Sequence, residues 1–218
     1  MKIHQFLIFF GIVFGIYFIV NYYIYIRGLQ AFRFTPTSKT VYTIIYLLLA
    51  AAYITGRIIE RFAVGRAADF LTWLGSYWLA FMVYFLLLII LIDLLRAVNH
   101  FLPFFPAFLT SNPSKTNFTI GCVTVIGISV IVAAGRINAT HPVVSELSII
   151  LSKNIPNHQN VTIALASDLH LGAVVGQAHL RKLVRMINAI QPDLILLAGD
   201  VIDEDPGSLI KRDLGNCL

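Results

Sequence analysis

The sequence predicts a chain in two parts: four transmembrane helices, then an α/β domain that opens with the strand–helix–strand unit of a parallel or mixed sheet. Three observations carry this. Of 218 residues, 58% are hydrophobic and 12% charged, where an ordinary soluble domain has about a quarter charged. Mean hydropathy is +0.80, and the apolar excess lies before Arg136. Beyond it, two short apolar runs, 161–166 and 194–198, flank an amphipathic helical pattern, the signature of a βαβ unit. The division is residues 1–136 for the membrane region and 137–218 for the start of the α/β domain.

Phe6 to Ile26 is apolar throughout except for Asn21. It is long enough to cross a hydrocarbon core of about 30 Å. It is too long for a signal-peptide core and has no small-residue cleavage site. Asn21 reads as an interfacial polar group, next to Tyr22, Tyr23 and Tyr25, whose rings favour the membrane–water boundary. Val41 to Gly56 is a second, shorter span, extended by Ile58 and Ile59 if Arg57 snorkels. Arg57 and Glu60 are three apart and can pair on a helix end. Phe70 to Ile92 is the third span, with Asp93 at its boundary and Arg96 three residues on. An acid inside a membrane would be a functional candidate, but at the boundary Asp93 reads as a paired interfacial carboxylate. Residues 99–117 form a loop broken by Pro103, Pro106 and Pro113, whose middle dips towards the head groups. Phe118 to Gly135 is the fourth span. Its small residues (Gly121, Gly127, Ser129, Ala133, Ala134) permit close helix packing.

The net charge of +5 fits loop cations near lipid head groups. No basic patch interleaved with aromatics is present, so nucleic acid is not an expected partner; the lipid bilayer is. Lys and Arg are level on the two sides of the spans, so the positive-inside rule does not assign the C-terminal part to either face. Cys122 and Cys217 are poor candidates for a disulfide. The spans carry no charge at their centres and none is conspicuously broken, which argues against a transporter.

In the C-terminal part, Val143 to Leu151 has β character and predicts a strand. Residues 154–160 predict a turn around Pro156. Thr162 to Ala166 predicts a strand, and Gln177 to Ile190 a helix with Leu180, Val184 and Ile187 on its dry face and Arg181, Lys182 and Arg185 on its wet face. Leu194 to Ala198 predicts the second strand. His158 and His179 stand away from any motif and read as surface residues. In parallel sheets the site lies at the carboxyl ends of the strands. Asp168, His170 and Asp200 all stand there, 32 positions separating the two aspartates. Carboxylate oxygens and imidazole nitrogen are ligands for Mn, Fe or Zn. The bland reading is a set of polar residues capping strand ends.

Asp168-Leu169-His170, then Pro192-Asp193, an apolar strand and Gly199-Asp200 resemble the calcineurin-like metallophosphoesterase family, membrane-anchored bacterial type. Ser167, Gly172 and Asp203 fit the same pattern. The resemblance implies two divalent metal ions, Asp168 and His170 on the first and Asp200 bridging both. It implies hydrolysis of a phosphomonoester, phosphodiester or pyrophosphate, a phosphorylated substrate with lipid-linked ones among the candidates, and a multi-pass plasma (inner) membrane protein. The family's later Gly-Asn-His, lone His and Gly-His-x-His motifs do not follow. Gly215-Asn216-Cys217 has Cys where His is required and no strand leading into it. The domain is therefore expected to be incomplete in this chain. No catalytic proton-handling residue is expected within it, and the 218 residues alone are expected to be inactive. A non-catalytic membrane scaffold is the alternative.

Overall fold

The computed structural model describes residues 3–63, 65–150, 160–172 and 175–202. The membrane part consists of α1 (Ile3–Ala31), α2 (Pro36–Phe62), α3 (Arg66–Phe101), a single turn α4 (Ala107–Thr110) and α5 (Pro113–Ala139). Four of these, α1, α2, α3 and α5, are long and apolar enough to cross a membrane. All four run past the expected apolar cores, because polar ends continue the backbone ladder. Their starts follow local chemistry. Thr35 accepts the Ser38 N–H at 3.3 Å and Asn112 accepts the Lys115 N–H at 3.1 Å, with Pro36 and Pro113 next in each helix. That combination satisfies an orphan donor and presets the first turn. α3 ends at Phe101, just before Leu102 and Pro103.

The helices pack antiparallel around Ile24, Tyr46 and Trp78. Asn21 is at the centre of this cluster and not at an interface, which corrects the sequence expectation. Its Oδ1 accepts Trp78 Nε1–H at 3.0 Å and its carbonyl accepts Tyr46 O–H at 2.6 Å. Its amide donates to the Tyr17 carbonyl at 2.9 Å. In a bilayer no water is at hand for these donors, so each finds a protein partner. The tightest small-residue contacts also lie elsewhere than expected. A Cβ on Gly56 would sit 2.6 Å from the Thr72 nitrogen, and one on Gly75 would overlap the Tyr53 backbone, so α2 and α3 approach through glycine. In α5, Gly121 does pack closely, against Ala31 and Phe32, whereas Gly127 has open space around it. Arg57 pairs with Glu60 at 3.4 Å, as the spacing predicted.

Two parallel strands follow, β1 (Ile163–Ser167) and β2 (Leu194–Ala198), with α6 (Gln177–Ile190) between them. Their register runs from Ile163 opposite Leu194 to Ser167 opposite Ala198. Asp193 sets its start: its carboxylate accepts the Thr162 N–H and its own N–H donates to the Thr162 carbonyl, both at 2.8 Å. α6 closes on Gln191 in the left-handed region (φ +51), and Pro192 prevents continuation. Its dry face is anchored by the fully buried Leu180. The strand expected over Val143 to Leu151 does not form over 143–150; this stretch has no ladder partner among the described residues. Leu151 and the expected turn at 154–159 lie outside the described residues, as do His158, Asp203 and 215–217. Lys182 Nζ donates to the Thr140 carbonyl at 2.9 Å, which ties α6 to the end of α5.

Candidate metal centre

The ladder between β1 and β2 does not stop where the strands do. Asp168 N–H donates to the Ala198 carbonyl, His170 N–H to the Asp200 carbonyl and Leu171 N–H to the Val201 carbonyl, each at 3.0 Å. These bonds hold the segment from Asp168 to Leu171 against the segment from Ala198 to Val201. They make neighbours of residues 32 positions apart, as the strand-tip argument required. Asp168 also reaches across with its side chain, where Oδ1 accepts the Asp200 N–H at 3.2 Å.

This crossing explains three backbone features. Asp168 (φ +50) and His170 (φ +46) are left-handed, a region rare for residues with a Cβ, though Asp and His enter it more readily than most. Such strain concentrates at functional sites, where surrounding bonds over-determine it. Gly199 has φ +70, and a Cβ there would overlap Asp168 Oδ1. Only glycine lets the second strand turn away while the Asp168 carboxylate lies over its backbone. Sequence reading marked Gly199 as part of a motif; its steric duty needed the structure.

The backbone therefore brings Asp168, His170 and Asp200 together at one end of the sheet. Their side chains are not gathered into a finished metal nest: among the described residues, no three His, Cys, Asp or Glu side chains converge on one cation position. The donor set of two carboxylates and an imidazole matches the preference of a divalent transition ion. Asp168 Oδ1, already held by the Asp200 N–H, has the kind of support that orients a ligand.

Residues 161–215 match the sequence profile of the calcineurin-like phosphoesterase family. A Caenorhabditis elegans protein named as a metallophosphoesterase is 44% identical over 64 residues, covering 29% of this chain and 13% of that protein. A transmembrane protein with metallophosphoesterase domain from Bos taurus is 32% identical over 82 residues, 37% of this chain and 18% of its own length. Its namesake from Danio rerio is also 32% identical over 82 residues, 37% of this chain and 19% of its own length. The chain thus spans less than a fifth of the length of these curated relatives. No solved structure matches it. Four helices long and apolar enough to cross a membrane thus precede the segment that is similar to these metallophosphoesterases.

Proposed function

We propose that the chain is the membrane anchor and opening strand–helix–strand unit of a metal-dependent phosphoesterase in the plasma membrane. In this reading, which follows the family resemblance, Asp168 and His170 would hold one divalent ion and Asp200 would serve it together with a second. Mn, Fe or Zn suits these donors. A cation held there supplies Lewis acidity and acidifies water for attack on a phosphoester. The protein's own share is orientation. Gly199 leaves room for the Asp168 carboxylate, the Asp200 N–H fixes one of its oxygens, and the His170 N–H ties its loop to the Asp200 carbonyl.

The observation that carries this reading is the crossing of the Asp168 side chain onto the Asp200 backbone at the end of a parallel strand pair. One observation favours a scaffold instead, namely that three ligating side chains do not converge among the described residues. The hydrolase reading accounts for it by leaving the rest of the ligand shell to the remainder of a longer protein. The substrate is a phosphorylated compound; an anchored site makes a lipid-linked phosphate or pyrophosphate a natural one. The test is hydrolysis of bis-p-nitrophenyl phosphate with added Mn²⁺. The longer protein turns it over and the purified 218-residue chain does not. Turnover by the short chain contradicts the inactivity, and none by the longer protein favours the scaffold.

A further inference from the structure

A cavity of about 240 Å³ lies between α1, α2, α3 and α5. It is smaller than the ~300–1,000 Å³ of a usual small-molecule pocket, and its lining is spread along the helices. On α3 alone it is lined from Trp78 to Arg96, about 27 Å of helix at 1.5 Å per residue. Its walls are apolar and aromatic along Tyr46, Trp78 and Phe85, and its far end is polar, with Arg27, Asp93, Arg96 and Asn117.

The charges at that end do not cancel. Asp93 accepts from Arg27 and from the Tyr23 hydroxyl, and Arg96 approaches it at 4.0 Å. The sequence reading paired Asp93 with Arg96; the shorter ion pair reaches across to α1. Arg96 also donates to Asn117 Oδ1 at 2.9 Å. Two guanidinium groups therefore face one carboxylate. Phe32 separates this end from a second, open hollow bearing Arg33 and Lys115, where Arg33 Nε donates to Ser114 Oγ at 2.6 Å. Across 27–40 and 93–117, the two connections at this end of the bundle, five Lys and Arg stand against the single acid Asp93. Basic pockets between spans take up lipid head groups.

We propose that this cavity takes up part of one acyl chain of an anionic phospholipid, with the phosphate at Arg96 and Arg27 and the chain directed towards Trp78. The commitment to a lipid follows from shape. The apolar walls along Tyr46, Trp78 and Phe85 leave a free phosphate ion nothing to contact beyond the polar end. The site is separate from the phosphoesterase start. α5 leaves the bundle at the opposite end, so the lipid occupies the leaflet away from Asp168 and Asp200 and is not the substrate presented to them.

The chain has two tryptophans. Trp73 is 40% exposed on the outer surface, and Trp78 is 8% exposed and lines the cavity. Trp73→Phe leaves Trp78 as a buried reporter. The protein is reconstituted in phosphatidylcholine vesicles containing a small fraction of chain-brominated phosphatidylglycerol or chain-brominated phosphatidylcholine. The brominated phosphatidylglycerol is expected to quench Trp78 at a mole fraction about fivefold lower, the enrichment that one basic residue gives an acidic lipid. Arg96→Gln abolishes the difference and Arg96→Lys keeps it. In the unaltered background, excess unbrominated phosphatidylglycerol relieves the quenching, whereas millimolar inorganic phosphate leaves it in place; this arm holds even if Arg96→Gln fails to fold. Equal quenching by both brominated lipids, or relief by inorganic phosphate, overturns the proposal.

Discussion

Leu48 in α2 and Leu165 in β1 are almost equally exposed, at 66% and 69%, yet the exposure means different things. Leu48 lies mid-way along a helix that crosses the bilayer. Lipid is as apolar as its side chain, and nothing further has to cover it. Leu165 belongs to a parallel strand pair whose runs are apolar on both faces. Such strands occur with helices on both sides of the sheet, and here β2 is exposed along its whole length. The membrane bundle can therefore leave such side chains to lipid. The strand–helix–strand unit has its backbone ladder in place, while β2 is left exposed by the described residues.

Substitutions can break or sharpen this contrast. The largest expected effect is Leu48→Lys. A charge at the centre of a span costs about 2.5–3.5 kcal/mol on insertion scales, so the glycosylation-reporter fraction of inserted protein should fall sharply. Gly199→Ala comes next, at about 1–3 kcal/mol for a Cβ in a strained backbone region. It should also weaken Mn²⁺ binding by the longer protein by roughly 10–100-fold, the loss seen when support for a metal ligand is removed. The bundle's detergent-unfolding curve should not move. Asn21→Leu is the converse. It orphans the Trp78 N–H and removes the side-chain amide bond to the Tyr17 carbonyl, and should lower bundle stability by about 0.6–1.7 kcal/mol without changing metal binding. The smallest effect belongs to Lys182→Ala. It removes the bond to the Thr140 carbonyl, a half-exposed contact worth about 1 kcal/mol or less, and should raise amide exchange in α6 only slightly.

The same contrast governs what could be read from the sequence. Composition and length identified all four spans, and the limits of α6 and β2 follow from patterning and from Pro192. The motif strand lies one residue later than expected, because the ladder carries on into Ser167. What the sequence hid is interhelical. Asn21 reads as a boundary residue as long as the first helix is thought to end at Ile26. The helix continues to Ala31, where Arg27 pairs with Asp93 on α3, and Asn21 is buried against α2 and α3. The glycines that matter most for packing lie in α2 and α3, where a close approach cannot be seen from one helix alone. The stretch 143–150 has strand-like residues but no partner edge among the described residues, and β propensity without pairing does not make a strand. At the site, the residue types and their strand-end positions were legible; the reason for Gly199 and the left-handed turns at Asp168 and His170 was not.

The central claim is that Asp168, His170 and Asp200 come together to grip a divalent cation. Its most direct test is electron paramagnetic resonance of Mn²⁺ titrated into the longer membrane protein, with Asp200→Asn alongside. The account predicts saturable uptake and a loss of affinity of more than about 100-fold in the variant, beyond that for a merely supporting group. Mn²⁺ uptake unchanged by Asp200→Asn would contradict it.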